Sequence, residues 1–502
     1  MQQSLYCGCV TRGATIADAG EKRNANASAS RPIYVAGAWL TTDEPLDVSS
    51  PDDPETPFAT TFHAGPDELE RAIVGAIEAE RSLAALPAYE RGEALRSVAA
   101  GILERRQELA EQLAAEAGKP IRDALTEIER GALTFRLAAE EAERIVGEVI
   151  PLDINPAARD RVGIVRRFPV GAVAAVSPFN LPLGLAAHKV APALAAGCPI
   201  VLKPPSRTPL TMLSIAELVD KTNLPPGSLS VIPMTTEVGD GLVTDPRFKL
   251  LSFTGGPEVG WDMKARAGKK KVVLELGSNS AAIVDASADL DWAARRCAYG
   301  AFKYAGQLCI SVQRIFVHAS VWDVFLERFL AEAATLRVGP ALDPSTDVGP
   351  LIDARAGRRL SSWIEEAVSA GAEVLHGGTV EGSFLAPTVL TGVPPTANLA
   401  CEEAFGPVAV LQAFDTFDAV LDDVNASRFG LQAGLFTNDL AHAWQAFNRL
   451  HVGTIVINDA PTFRTDNMPF GGIKDSGLGR EGLRWAMEDM TELRTLVMTG
   501  QP

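Results

Sequence analysis

Short apolar runs closed by glycine or proline, each followed by a stretch of helical spacing, govern what this chain can become. Val170–Val176, Ile200–Lys203, Ser228–Ile232, Leu250–Phe253 and Val272–Leu276 are such runs. Brief apolar segments without alternation read as strands buried on both faces. Leu183–Ala196, Leu210–Lys221 and Pro257–Arg266 lie between them with helical character. Repeated strand–helix units imply a parallel sheet with helices on both faces, an α/β architecture. A second block repeats the pattern, with strands expected at Ala281–Val284, Arg314–Val317 and Val408–Phe414. Its helices are expected at Leu290–Tyr304, Val321–Leu336, Ala354–Ala370 and Leu440–Leu450. The boundary between the blocks falls near Leu276–Gly277.

Residues 66–147 are rich in Ala, Leu, Glu and Arg, with apolar residues every three or four positions, and predict several amphipathic helices. Residues 148–168 alternate polar with apolar and carry Pro151 and Pro156, which suits a projecting hairpin. The C-terminal TELRTLVMTG suits an added edge strand. A length of 502 residues suggests about three domains at ~150 residues each. The balance of 46 basic against 63 acidic residues gives a net charge of −17 and argues against nucleic acid as a partner. It also disfavours an anionic membrane surface. No apolar run reaches the ~20 residues needed to span a bilayer. Residues 1–30 hold no hydrophobic signal segment and read as a loose tail. Six cysteines, Cys7, Cys9, Cys198, Cys297, Cys309 and Cys401, are too few for a disulfide framework. Cys7 and Cys9 have no companion ligands at zinc spacing, so no metal is expected. These features together predict a cytoplasmic, reduced protein.

Five positions have the residue types and settings for chemistry. Cys309, in GQLCIS (306–311), sits on a loop between a helix and a strand, where a thiol can act as a nucleophile; the alternative is a small buried hydrophobe. Glu275 ends an apolar strand, where desolvation raises a carboxyl pKa and makes a general base; the alternative is a carboxylate satisfied by backbone amides. Asn180, in SPFNLP (177–182), follows a strand C-terminus and has an amide able to hold an oxyanion; the alternative is a turn residue between prolines. FTGGPEVG (253–260) is a strand, a glycine pair and a helix start, a setting that suits phosphate. Lys203 ends another strand at the sheet's C-terminal rim, where solvation alone is the competing explanation.

With LKPPSRTP (202–209), LELGSNS (274–280), EEAFGPV (402–408) and PFGGIKDSGLGREG (469–482), these motifs resemble the aldehyde dehydrogenase superfamily from about Ile33 to Thr499. Glu275 precedes Cys309 by 34 residues, the usual separation there. The resemblance implies a Rossmann-type NAD(P)-binding domain (31–147 and 169–276), an α/β catalytic domain (277–486) and a β oligomerisation element (148–168 and 487–502). It implies a homodimer or homotetramer acting on a small-molecule aldehyde. By resemblance, Cys309 is the nucleophile and Glu275 activates water. Asn180 and the backbone N–H of Cys309 form the oxyanion hole. Lys203 holds the adenosine ribose, Gly255, Gly256 and Gly260 cap the pyrophosphate, and Glu403 with Phe405 holds the nicotinamide ribose. Ser177, Phe179 and Leu276 complete the cofactor site, while Lys189 and Glu481 match positions tied to proton relay or support.

Departures from the family pattern bear on the cofactor and the substrate. Ser206 stands where many NAD-preferring relatives carry a glutamate, which removes repulsion of a 2′-phosphate, and Arg207 would attract one. Both NAD and NADP are therefore expected cofactors. Gly256 replaces a frequent serine, losing one hydroxyl contact to phosphate, and Phe179 replaces a frequent tryptophan. The segments HKVAPALAAGCPIVLKPPSRTPL and YAGQLCISVQR most resemble the lactaldehyde dehydrogenase-like group. The loop 459–468 is expected at the substrate mouth, with Arg464 holding an anion and Phe463 beside it; the alternative for Arg464 is a surface arginine paired with Asp466. Retention of Glu275 argues against a coenzyme A-acylating enzyme, and the complete Asn180, Glu275 and Cys309 set argues against a non-catalytic scaffold.

Overall fold

A computed structural model describes residues 29–500, so the expectations for the tail and for Cys7 and Cys9 lie outside the described residues, apart from Ala29 and Ser30. Five parallel strands form the centre of one sheet, in the order Lys271–Glu275, Leu250–Thr254, Val173–Val176, Ile200–Lys203, Leu229–Val231. Chain order reverses between Val173–Val176 and Leu250–Thr254, the switch point where open α/β sheets leave a crevice at their C-terminal ends. The loops leaving these two strands carry Ser177–Asn180 and Gly255–Gly256.

Two short antiparallel additions flank that sheet. Ile33–Val35 and Ala38–Leu40 form a hairpin on one edge. On the other edge Gly477–Leu478 pairs with Leu274 and Glu275, so a strand from within 277–486 closes the first sheet. The second sheet has seven strands, with Ala281–Val284 between Arg314–His318 and Gln432–Phe436, and is parallel except for Glu373–His376. A third sheet pairs Glu148–Pro151, Arg161–Pro169 and Thr491–Thr499 antiparallel, with the C-terminal strand at its edge.

The helical region resolves into Pro66–Ala85, Ala88–Glu104, Arg106–Ala117 and Ile121–Ala142. The first begins with proline, and Glu68 reaches back to the Gly65 amide at 2.8 Å, satisfying a free helix-end donor. Ala, Leu and Ile from the last three of these helices pack with helix Gly184–Ala196 in one continuous core. Gly184–Ala196 is buried at every position from Leu185 onward, as expected of a helix apolar on all sides, yet it carries His188 and Lys189. It ends at Gly197, whose φ of +84° only glycine adopts readily. Among the described residues no helix is long and apolar enough to cross a membrane.

Candidate active site

The helix expected over 290–304 stops at Phe302, and the next residues make a tight turn. Tyr304, Ala305 and Gly306 all take positive φ (49°, 50° and 65°), unfavourable for the two with side chains. Tertiary contacts hold the turn. The Tyr304 hydroxyl donates to Ala117 O at 2.8 Å, and Gln307 Nε2 donates to Pro350 O at 3.1 Å. Gly306 lies so close to Gly406 that a Cβ there would stand 2.0 Å from its carbonyl oxygen. This fixed turn presents Cys309, which is half-buried against Ile310, Leu431 and Phe470.

A cleft enclosing about 890 Å³, its open mouth included, leads to Cys309. Lys119, Arg130, His188, Arg464 and Asp466 are among its lining residues. Asn180 is buried behind it; its Nδ2 donates to Gln307 O at 2.9 Å, and its own carbonyl accepts from Lys119 at 2.7 Å. An amide nitrogen carries two hydrogens, so one remains for a further acceptor. Lys119 pairs with buried Glu127, whose other oxygen caps the start of helix Gly184–Ala196 through Leu183 N and Gly184 N, both at 3.0 Å.

Glu275 is buried, and neither carboxyl oxygen has a partner among the described residues, which rules out satisfaction by backbone amides. Burial, then the nearby charge of Glu481, pushes its pKa well above the ordinary carboxylate value. Gly471 leaves it room: a Cβ there would stand 2.8 Å from Glu275 Oε1. Glu481 behaves oppositely. Burial opposes its ionisation, but Lys189 at 3.2 Å and Arg464 at 3.1 Å outweigh that and hold it ionised. The Cys309 thiol is not the thiolate that an exposed loop cysteine would give. Burial, followed by Glu403, pushes it up to about 12, with Arg464 acting in the other direction.

Arg464 is not a surface arginine paired with Asp466. Its side chain is only 8% exposed, pairs with Glu481 and stacks over Phe470 at 3.8 Å. Its buried Nε has no partner among the described residues. Asp466 instead binds Arg130 at 2.7 Å and His188 Nε2 at 3.1 Å. Phe463 is exposed and does not line this cleft; its backbone carbonyl accepts from Gln432 at 2.7 Å. His188 and Arg130 were not singled out from sequence. The available signal for His188 was two adjacent polar residues, His188 and Lys189, inside an otherwise apolar helix.

The crevice at the first sheet fits a dinucleotide. Ser177 Oγ and Thr254 Oγ1 are buried at its strand ends without partners among the described residues. Gly256 caps helix Pro257–Arg266 with nothing within 4 Å of an added Cβ, leaving open space at a helix N-terminus. Gly260 packs so tightly that a Cβ would stand 2.5 Å from Leu276, and one at Gly255 would stand 2.5 Å from Phe253. Lys203 lies against Gly239, makes no ion pair among the described residues, and has its pKa lowered by desolvation. Ser206 beside it is half-buried, whereas Arg207 faces Asp353 at 3.6 Å. Phe179 and Phe405 meet edge to face at 5.8 Å. Glu403 accepts from Ser278 N at 3.0 Å, and burial pushes it up to about 7. Among the described residues there is no cluster of three or more His, Cys, Asp or Glu able to hold a metal.

The aldehyde dehydrogenase family model matches residues 39–496. The 3-sulfolactaldehyde dehydrogenase of Priestia megaterium is 42% identical over 467 residues, covering 93% of this chain and 97% of that one. Aldehyde dehydrogenase 21 of Physcomitrella patens, solved in complex with the reaction product succinate, superposes with a TM-score of 0.93 at 44% identity, over 94% of this chain and 99% of that one. Glyceraldehyde-3-phosphate dehydrogenase of Methanocaldococcus jannaschii, solved with NADP, gives 0.87 at 39% identity, over 91% and 99%.

Proposed function

Because the chain belongs to the aldehyde dehydrogenase family and is an NAD(P)-dependent enzyme of that kind, we propose that it oxidises a small aldehyde bearing an anionic group to the carboxylic acid, with Cys309 as nucleophile. The observation that carries the anionic group is Arg464. It lines the cleft that reaches Cys309, with its Nε unpartnered. Lys189 and Arg464 both pair with the single carboxylate of Glu481, which leaves Arg464 donor capacity for a further anion. The three relatives are named for, or hold, a sulfonate, a carboxylate and a phosphate compound, which supports an anion without choosing among them.

In this reading the Cys309 thiol gives up its proton to solvent at the open mouth of the cleft, and Sγ attacks the carbonyl to form a thiohemiacetal. The oxyanion accepts from the Cys309 backbone N–H and from the second hydrogen of Asn180 Nδ2; one such donor is typically worth about 2.7–4 kcal/mol. Lys203 and Ser206 would hold the adenosine ribose, Gly255, Gly256 and Gly260 the pyrophosphate, and Glu403 and Phe405 the nicotinamide ribose, with Ser177, Phe179 and Leu276 as walls. The nicotinamide, when bound, supplies the hydride acceptor that turns the Cys309 adduct into a thioester. Glu275, once deprotonated, takes a proton from the water that cleaves this thioester. Lys189 and Glu481 set the charge that Glu275 experiences.

The C-terminal strand Thr491–Thr499 pairs on one side only and exposes Leu493, Leu496, Val497 and Met498. A second copy of the chain is the natural cover for such an edge, in a homodimer or homotetramer.

The test follows reduced nicotinamide absorbance with anionic and neutral aldehydes of equal length, with and without coenzyme A. Arg464→Leu is expected to lower the ratio of kcat/KM for anionic over neutral substrate roughly 10–150-fold, from the ~1.5–3 kcal/mol of a charged hydrogen bond. An unchanged ratio refutes the anionic reading, and turnover that requires coenzyme A refutes thioester hydrolysis.

A further inference from the structure

The two donors assigned to the oxyanion are carried by different sheets. Asn180 follows strand Val173–Val176 of the first sheet, whereas Cys309 lies between helix Leu290–Phe302 and strand Arg314–His318 of the second. For both to reach one oxygen, the two sheets must be held in a fixed relation at this point. Lys119 makes contacts on both sides. It is 2% exposed, and its Nζ donates to Asn180 O at 2.7 Å. Among the described residues that is the only hydrogen bond made by the main chain of Asn180. The same ammonium lies 4.3 Å from the centre of the Tyr304 ring, and the Tyr304 hydroxyl donates to Ala117 O, two residues before Lys119. The stretch Ala117–Lys119 therefore touches both the loop of Asn180 and the strained turn that leads to Cys309. It is itself tightly seated: Gly118 has a φ of +64°, and a Cβ there would stand 2.8 Å from the Pro350 ring.

From this geometry we infer that Lys119 is a positioning residue for the reaction: it fixes the main chain of Asn180 against the turn ahead of Cys309, so that the free Nδ2 hydrogen and the Cys309 N–H converge on one oxygen. The inference rests on the thiohemiacetal mechanism above and adds the group that aligns its two donors. The side chain of Asn180 is tethered at its other end, through Nδ2 to Gln307 O at 2.9 Å. With main chain and side chain both held, the second Nδ2 hydrogen has a set direction. Lys119 acts through Asn180 rather than on the substrate, since its ammonium is occupied by Glu127, Asn180 O and the Tyr304 ring. Glu127 holds Lys119 in place, and its other oxygen caps helix Gly184–Ala196. A donor displaced by about 1 Å costs on the order of 10²-fold in rate, so the loss of this one bond has a measurable effect.

The test removes the Lys119 donor without stranding a charge. Lys119→Met alone leaves Glu127 buried and unpaired, so Glu127→Gln is made with it; a glutamine oxygen can still accept from Leu183 N and Gly184 N. Rapid mixing with cofactor and aldehyde reads the first turnover of reduced nicotinamide, and fluorescence titration reads the Kd of reduced cofactor. Glu127→Gln alone keeps the bond from Lys119 to Asn180 O and should stay close to the wild-type rate. Lys119→Met with Glu127→Gln should slow the first turnover roughly 10–100-fold, less than the ~10²–10³-fold of losing an oxyanion donor outright, with cofactor Kd unchanged. In an Asn180→Ala background the same two changes should slow it no further, because the donor they displace is gone and Tyr304 keeps its bond to Ala117 O. A folded double variant with the wild-type first turnover overturns the inference. So does a loss that persists in full in the Asn180→Ala background, which assigns Lys119 to general support of the fold. An equal loss in Glu127→Gln alone overturns it too, assigning the effect to the helix cap. Failure of the mechanism looks different: Asn180→Ala alone would then keep the wild-type first turnover, which overturns the mechanism and the inference together.

Discussion

Gly277 offers a perturbation whose size can be worked from the coordinates. A Cβ on Gly277 would stand 2.3 Å from Glu403 Oε2 and 2.7 Å from its carboxyl carbon. The φ of Gly277 is not positive, so alanine there brings no backbone strain and its whole effect passes through Glu403. Ordinary contact begins near 3.4 Å, so the carboxylate must retreat by about 1 Å. That movement breaks its 3.0 Å bond from Ser278 N and carries it away from the ribose it is proposed to hold. A hydrogen bond to an ionisable group is worth about 1.5–3 kcal/mol, or roughly 10–150-fold. Gly277→Ala should therefore raise the KM for NAD or NADP by about that factor. Initial rates at varied cofactor, with fluorescence titration of reduced cofactor, measure it. In a double-mutant cycle with Glu403→Ala the methyl should have no further effect, because the group it displaces is gone. A cofactor KM and Kd within twofold of wild type in folded Gly277→Ala, or effects that add in the cycle, would refute the placement of Glu403.

Glu275→Gln should let one equivalent of reduced nicotinamide form in a burst and slow later turnover by about 10²–10⁴-fold, as expected for removal of a general base; rapid-mixing absorbance reads both phases, and loss of the burst would move Glu275 to the acylation step. Asp52, Glu116 and Glu403 all have pKa values raised by burial, to about 6, 7 and 7. Their protons are held in the folded chain and lost from the unfolded one as pH rises from about 4.5 to 7, so stability falls across that window. His63, His188 and His376, lowered by burial, act the other way in the same range, so the acids are read singly: Glu116→Gln should make the apoenzyme Tm fall less between pH 5 and pH 8 than in wild type, and an unchanged pH dependence would contradict the burial assigned to Glu116.

The parallel strands were legible because a run such as Ile200–Leu202 is apolar throughout and closed by Lys203 and Pro204, leaving little else for it to be. The hairpin Ile33–Val35 and Ala38–Leu40 was not anticipated. Its strands have three residues each, too short for a period, and its only signal was Gly37 in the turn. The helix end at Phe302 was missed because what stops the helix is the Tyr304 hydroxyl reaching Ala117, far away in sequence. Arg464 was offered Asp466 as a neighbour along the chain, but its partner is 17 residues distant and Asp466 belongs to Arg130 and His188. Motif residues such as Cys309, Asn180 and Glu275 could be named from sequence because their types and order are distinctive. The raised pKa of Glu275 was also legible, from a carboxyl ending an apolar strand, whereas that of Cys309 was not, because the burial that raises it is made only by folding.

The Lys119–Glu127 pair shows why this protein keeps two charges in its core. A buried ion pair gains little net stability over an apolar replacement, but losing one partner strands the other. Here each partner has a second task. Lys119 donates to the Asn180 carbonyl and lies 4.3 Å from the centre of the Tyr304 ring. Glu127 caps the helix that carries His188 and Lys189. One pair thus ties the loop of Asn180, the strained turn ahead of Cys309 and the helix that carries His188 and Lys189. The turn lies more than a hundred residues beyond the other two, and in the proposed mechanism each must be placed to a fraction of an ångström for a carbonyl to be attacked and its oxygen held at once. Apolar packing alone fixes volume better than direction. Directional, charge-assisted bonds shared among three elements supply the orientation, which makes the desolvation penalty of the pair intelligible as the means by which the site keeps its geometry.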